Sequence, residues 1–465
     1  MHFDTLMARE AQSNCVDLAA LVKRYGRPGP RYTSYPTAVH LDPKFDRERA
    51  LAELRSNDER YGIYLHVPFC ERRCLYCACH TTIARDRELG KVYVDGLLAE
   101  IELLADATDL TQPLRFVHLG GGTPTWLAFE DMERLVAAIK TAAGDPTDTA
   151  WSIEVDPETV DIEDVNRLID LGYGRMSFGV QDLDSVVARA VGRRHRPNHL
   201  AKLCQQLRKR GVSRYNFDLI YGLPHQDQVT IRSTIDRVVG LGPSRVALYG
   251  YAHVPWMMRH QRGLERLGLP GPNERLAMFM AAGERLLDHG YVAIGMDHFA
   301  LPDDPLAIAA RSGTMRRSFM GYTTSHCDSL LGLGVSSIGG FGHALVQNEK
   351  DMVAWRKRID AGELPWAKAL FRNRDDEIRA HVIERLMCDM RLPKRAVEKR
   401  LGIEFDEYFA DANQRLQALA ADGLVRSVAD DIEVTQTGQL FLRNVAMAFD
   451  TRLRPKPEGQ HAMTV

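Results

Sequence analysis

The chain has 465 residues, 45% hydrophobic and 26% charged, with 60 basic against 62 acidic side chains and a net charge of −2. That length leaves room for one large domain of about 250 to 300 residues plus a smaller one; the composition excludes global disorder and fibrous repeats, and the balanced charge gives no general basis for binding nucleic acid or an anionic membrane. The start "MHFDTLMAREAQSNC" carries acidic residues and no continuous apolar run, and no later stretch approaches the roughly 18 apolar residues of a membrane span, so a soluble cytoplasmic protein is expected.

Residues 1–60 read as an arm followed by a helix. "GRPGPRYTSYPTAVHLDP" is broken by Pro and Gly, and "FDRERALAELRSNDERYG" has a charged, helix-like pattern. From Gly62 onward short β-rich segments alternate with helical ones: "GIYLHVP", "LRFVHLGGG", "WSIEVDP", "RMSFGVQ", "YNFDLIYG" and "RVALYGYAH". Six strands with intervening helices predict an α/β fold over residues 61–370, a parallel sheet wound as a complete or partial βα barrel. Functional residues of such barrels collect at the C-terminal strand ends. Those ends carry Gly120 to Gly122, Glu154, Gln181, Asp218, Ala252 and His253, which predicts one ligand-binding rim. The glycine run is expected to let backbone approach a ligand closely with its amides free.

Residues 371–465 change texture: helices, the turn "ADGLV", the strand-like "IEVTQTG" and a further helix predict a mostly helical, winged-helix-like unit. Its mixed charge presents no basic recognition face, so packing over the barrel mouth is expected rather than DNA binding.

Four of the eight cysteines, Cys70, Cys74, Cys77 and Cys79, lie within the ten residues that follow the first strand. A reducing compartment disfavours a disulfide staple. Structural zinc draws a second ligand pair from a distant segment, and no such pair is evident. Chance clustering of buried cysteines is opposed by the flanking Glu71, Arg72 and Arg73. An iron–sulfur cluster fits best: three thiolates from one loop hold three irons of a [4Fe-4S] cube and leave the fourth open to a substrate or cofactor.

The Cys-x3-Cys-x2-Cys spacing of Cys70, Cys74 and Cys77 resembles the radical S-adenosylmethionine (SAM) signature. "PRYTSYPTA", "YLHVPFCERRCLYCACH", "GGGTPT", "IEVDPE", "SFGVQD", "NFDLIYGLP", "YAHVP", "IGMDHFA" and "GYTT" then follow in the order found in the oxygen-independent coproporphyrinogen III oxidase family. The resemblance spans roughly residues 28–455. It implies a partial (βα)6 radical SAM barrel and oxidative decarboxylation of two propionates of coproporphyrinogen III to vinyls, in anaerobic haem synthesis. A 5'-deoxyadenosyl radical from SAM would take hydrogen from the propionate β-carbon, and loss of carbon dioxide and one electron would leave the vinyl.

By matched position Cys70, Cys74 and Cys77 would ligate the cluster and Cys79 would not. Tyr64, Phe69, Gly121, Gly122, Thr123, Glu154, Gln181, Arg193, Asp218 and Ala252 would line the first SAM site, and Ile338 a second one. The chain departs from the family pattern at "FMGYTTSHC", where Met320 stands in place of a glutamine. Methionine loses both amide hydrogen-bonding groups, which would weaken or reshape the second site unless the change is neutral drift in a loop. The substrate carries four carboxylates, and Arg31 in the arm is a candidate to meet one. Tyr32 and Tyr35 would either pack the arm or line a lid. A flavodoxin or ferredoxin donor and a monomer without nucleic acid or membrane partners are expected. The rival readings are another radical SAM reaction on the same scaffold (methyl transfer, cyclopropanation or haem opening) and a haem-trafficking protein.

Overall fold

The computed structural model describes residues 17–194, 196–428, 430–453 and 461–464. Residues 1–16, on which the reading of the N-terminal start rests, lie outside the described residues. Each of the six β-rich segments forms a strand: β1 (Tyr61–Val67), β2 (Leu114–Gly121), β3 (Ala150–Val155), β4 (Tyr173–Gln181), β5 (Tyr215–Tyr221) and β6 (Arg245–Gly250). They pair in chain order, all parallel. Parallel strands need long crossovers, and helices such as Glu88–Ala107, Phe129–Ala142 and Gln228–Leu241 supply them.

Alternation sets the two faces of the sheet. Val117, Leu119, Ile153, Met176, Phe178, Phe217, Val246 and Leu248 are fully buried in the main core. Truncating one such aromatic, Phe178, would cost about 3 to 5 kcal/mol. The opposite face carries Tyr64, His118, Ser152 and Arg175 in one cross-strand row. Glu154, Ser177, Asn216 and Arg245 form a second.

The sheet does not close. Beyond β6 it continues through antiparallel strands β7 (Val292–Ile294) and β8 (His298–Ala300), with β8 next to β6. Beyond β1 lie β9 (Ser329–Leu333), parallel to β1, then antiparallel β10 (Ile338–Phe341), β11 (Ala344–Asn348) and β12 (Trp366–Phe371). The result is a twelve-stranded mixed, open sheet. These six added strands are short and partly glycine-rich, so they leave little periodic signal. The buried carboxyl of Glu100 holds this edge together, accepting from the Gly334 amide (2.9 Å), Asn348 Nδ2 (2.6 Å) and Trp355 Nε1 (3.1 Å). Burial pushes its pKa up to about 7.

After β12 the chain forms helix Arg374–Asp389, further helices, and a small sheet in the order Arg391–Leu392, Asp431–Val434, Val425–Val428. Its core includes Val382, Leu386, Phe405, Phe441 and Val445, and also Leu21, Val22, Tyr25, Tyr32 and Tyr35 from the arm. Tyr32 Oη donates to Asp450 at 2.9 Å, and Tyr35 Oη lies 3.4 Å from Thr451 Oγ1. The arm tyrosines are therefore packing residues. This C-terminal region meets the barrel extension through Tyr322 Oη to the Met387 carbonyl (2.8 Å) and Gln439 Nε2 to the Gly295 carbonyl (2.7 Å). Among the described residues no helix is long and apolar enough to cross a membrane.

Candidate active site

The cysteine loop leaves the end of β1 and is pinned from several directions. Cys70, Cys74 and Cys77 are free and half-buried, and Cys79 is exposed. Cys70 Sγ lies 3.5 Å from Thr123 Oγ1. Tyr76, between the second and third cysteines, accepts from Arg193 Nε at its hydroxyl (3.1 Å). Arg193 also donates to the Gly179 carbonyl (2.8 Å) and pairs with Asp156. His260 donates a ring N–H to the Cys77 carbonyl at 2.8 Å. At the loop's far end His66 bonds the His80 carbonyl through Nε2 (2.9 Å), leaving Nδ1 to accept from Tyr64 Oη (3.0 Å). Burial keeps His66 neutral by lowering its pKa to about 4.

The donor set suits a cluster. Burial raises the Cys70 thiol to about 11. Cys77 is drawn down to about 7, chiefly by a hydrogen bond from Cys79 and against burial, with Arg193 and Arg73 contributing. Among the described residues no three His, Cys, Asp or Glu side chains converge tightly enough for a single ion, and three thiolates on three different irons need no common centre.

The glycine run lies against this loop. Gly121 has φ +118°, and a Cβ there would stand 2.8 Å from the His66 ring; one on Gly122 would meet the Pro68 and Phe69 carbonyl oxygens at 2.7 Å. The amides are not free, contrary to expectation: Gly121 donates to Glu154 Oε2 (3.0 Å), Gly122 to the Val67 carbonyl (2.8 Å) and Thr123 to the Phe69 carbonyl (2.9 Å). The glycines serve the close approach of two backbones.

Inside the sheet a cavity of about 320 Å³ is lined by Glu154, Ser177, Asp218, Tyr249, His298 and Met320. Burial alone would raise the Glu154 pKa, but the His118 ring, 3.5 Å away, and the Gly121 amide more than offset it and hold the carboxyl below its ordinary range. Asp218 receives bonds from Ser177 Oγ (2.8 Å) and Asn216 Nδ2 (2.9 Å). Burial, and then the charge of Glu154, push it up to about 6. The two carboxyls thus differ in proton affinity by environment.

Several expected residues take other places. Phe69 is fully buried, its ring stacked on Trp126 at 4.5 Å, so only its backbone faces the loop. Asp218 sits inside β5, three residues before the strand end. Gln181 ends β4 with φ +67°, and its Nε2 and Arg193 Nη2 both crowd the open side of Gly179. The Ala252 carbonyl accepts from Gln261. Ile338 opens β10, whose backbone lies against Gly332, and Gly332 pairs with Tyr64. Arg31, the candidate for a substrate carboxylate, pairs through Nη2 with Asp297 and lies over the Tyr249 ring. Burial opposes the Asp297 charge, but Arg31 and His298 hold its pKa far below the usual range. Sequence reasoning missed His66, His118, Ser177, Asn216 and Gln261. The first four had a signal, since they alternate on the strand face shared with Tyr64 and Glu154.

The model of the Radical SAM superfamily matches residues 64–238, and that of the HemN C-terminal domain matches 373–441. The oxygen-independent coproporphyrinogen III oxidase of Pseudomonas aeruginosa is 40% identical over 441 residues, covering 94% of this chain and 96% of the relative. That of Bradyrhizobium diazoefficiens is also 40% identical, with coverage of 94% and 98%. The solved structure of coproporphyrinogen III oxidase (HemN) from Escherichia coli, described as a radical SAM enzyme, aligns with a TM-score of 0.88 at 36% identity, covering 94% of this chain and 99% of that one. With its three-thiol loop at the end of β1, this is a radical SAM protein that works with a [4Fe-4S] cluster and SAM, and the chain belongs to the oxygen-independent coproporphyrinogen III oxidase family.

Proposed function

We propose that the chain oxidatively decarboxylates two propionates of coproporphyrinogen III to vinyls, giving protoporphyrinogen IX for haem synthesis. The observation that carries this reading is that Gly121, packed against His66 and Val67 at the start of the three-thiol loop, donates its amide to Glu154 in a polar interior shared with Ser177 and Asp218, on a chain matched over 94% of its length by enzymes of that name. Cys70, Cys74 and Cys77 hold the cluster. Tyr64, Gly121, Gly122, Thr123, Glu154, Gln181, Arg193, Asp218 and Ala252 surround SAM, with Phe69 contributing backbone, and Ile338 and Met320 border a second SAM. Bound together, cluster and SAM supply one-electron cleavage of the sulfonium and hydrogen-atom abstraction from the propionate β-carbon.

The chain's own residues prepare that event. Glu154, ionised at neutral pH, accepts from the ammonium or ribose hydroxyls of SAM. Asp218, with its higher proton affinity, adds a second acceptor deeper in the cavity. Arg193 keeps the cysteine loop and the Gly179 backbone in register, and the buried walls exclude water. The working unit comprises the arm (1–60), the barrel with its extension (61–370) and the C-terminal unit (371–465), acting as a cytoplasmic monomer reduced by a flavodoxin or ferredoxin. The test is anaerobic: protein, dithionite or flavodoxin, SAM and coproporphyrinogen III. Vinyl product with methionine and deoxyadenosine is expected. SAM cleavage without vinyl product overturns the substrate, and a modified haem in a parallel reaction would favour a different radical SAM chemistry.

A further inference from the structure

The foot of the interior cavity is cationic, and its charges are undercompensated. Arg175 stands on β4 two residues before Ser177 and lines the cavity. Among the described residues no hydrogen bond or ion pair reaches its guanidinium. Arg214 lines the same cavity one residue before Tyr215, which pairs with Met176, so Arg175 and Arg214 fall opposite one another. Arg245, in the row of Glu154 and Ser177, is buried and bonds Asp304 Oδ1 through Nε at 2.5 Å. Its Nη1 has no partner, and neither has Asp304 Oδ2. Of the three guanidiniums only Arg245 has a directly paired carboxylate, while Asp304 and Asp218 act on Arg175 through space without bonding it. Burial and the charge of Arg245 lower the Arg175 pKa to about 9, which leaves it a cation at neutral pH.

A partly buried guanidinium with no hydrogen-bonded or ion-paired partner is unfavourable until an anion completes it. Guanidinium pairs best with a planar carboxylate, in a forked geometry. The tetracarboxylate substrate supplies such groups, and the site's other arginines are engaged: Arg31 by Asp297 and Arg193 by Asp156. We propose that Arg175, with Arg214 opposite, anchors a propionate carboxylate of the substrate that is not reacting at that moment. Arg175 lies six residues before Gln181 on the same strand, roughly 20 Å of extended chain. An anchor at that depth sets how far the macrocycle enters and which propionate is presented at the rim. The inference rests on the substrate reading above. The carboxylate of a second SAM offers the same chemistry, so the test separates the two sources.

The experiment titrates the holoenzyme with coproporphyrin III, the fluorescent aromatic form that keeps all four carboxylates, and with its tetramethyl ester; SAM is titrated separately. Arg175→Met is expected to weaken coproporphyrin III at least ten-fold while leaving the ester and SAM unchanged, with Arg175→Lys between wild type and Met. A merely structural role would move all three ligands together and would overturn the proposal. Weaker SAM with unchanged porphyrin would assign the anchor to SAM and overturn it equally. Arg214→Ser, at an exposed position, tests the same anchor without disturbing the interior: a several-fold loss of coproporphyrin III affinity is expected, and no loss counts against the proposal. If wild type fails to bind coproporphyrin III, the substrate reading falls and the inference with it; if wild type binds and both variants bind equally well, only the inference falls.

Discussion

The amide of Gln261 donates to the Tyr76 carbonyl at 2.9 Å, bracing the cysteine loop from a segment 185 residues away. The same Nε2 reaches the Ala252 carbonyl (3.1 Å), and Oε1 accepts from the Val254 amide (2.7 Å). Gln261 is fully buried, so Gln261→Ala would orphan these partners at about 1 to 3 kcal/mol each. A lower melting temperature and less iron and acid-labile sulfide per chain are expected. Full iron content in the variant would show that the loop stands without its brace.

Serine replacements separate the four clustered cysteines. Cys70→Ser, Cys74→Ser and Cys77→Ser are each expected to abolish the ~400 nm absorption of a thiolate-bound cluster. Cys79→Ser, at an exposed position, is expected to keep it. Anaerobic reconstitution followed by absorption spectra decides, and a bleached Cys79 variant would reassign the ligands.

Met320 lines the interior cavity, with its amide 3.3 Å from Ser318 Oγ. Met320→Gln restores a donor and an acceptor of similar length. One recovered hydrogen bond is worth about 1 kcal/mol, or roughly five-fold in affinity. Equilibrium dialysis with labelled SAM should therefore show tighter binding of a second equivalent in the variant. Identical isotherms would mean that position 320 faces no SAM.

Glu100 makes stability depend on pH with a defined sign. Its folded pKa of about 7 lies above the ordinary 4.5, so its stabilising contribution is complete below about pH 4.5 and is lost as pH rises toward 7. Glu100→Gln cannot titrate and carries a constant penalty, because its NH2 meets donors from Gly334, Asn348 or Trp355. In denaturant titrations the deficit of the variant relative to wild type should narrow by roughly 2 kcal/mol between pH 5 and pH 7.5. A constant deficit would mean that Glu100 does not titrate in that window.

The six parallel strands were legible because their signal is local: a short apolar run bounded by turn residues reads as a strand wherever it sits. The cysteine cluster was legible for the same reason, since one loop carries Cys70, Cys74 and Cys77. The strand-end rim was half legible. Glu154 could be named from its motif, but its depressed pKa depends on His118 and the Gly121 amide from the neighbouring strand.

Arg31 marks the other limit. Its type and motif fitted a substrate carboxylate, and only the fold brings Asp297, 266 positions away, to neutralise it. Gln261 lies in a stretch with no motif, and nothing local marks it as the brace of the loop. The short strands β7 to β12 likewise exist because the long sheet offers them edges to pair with. By itself the sequence determined the six parallel strands and the crowding of cysteines after the first of them, because backbone preference and residue spacing act over a few residues. Which charges are spent and which remain for a ligand, Arg31 and Arg193 against Arg175, was decided by the tertiary structure, because a charge's partner is fixed by distance in space.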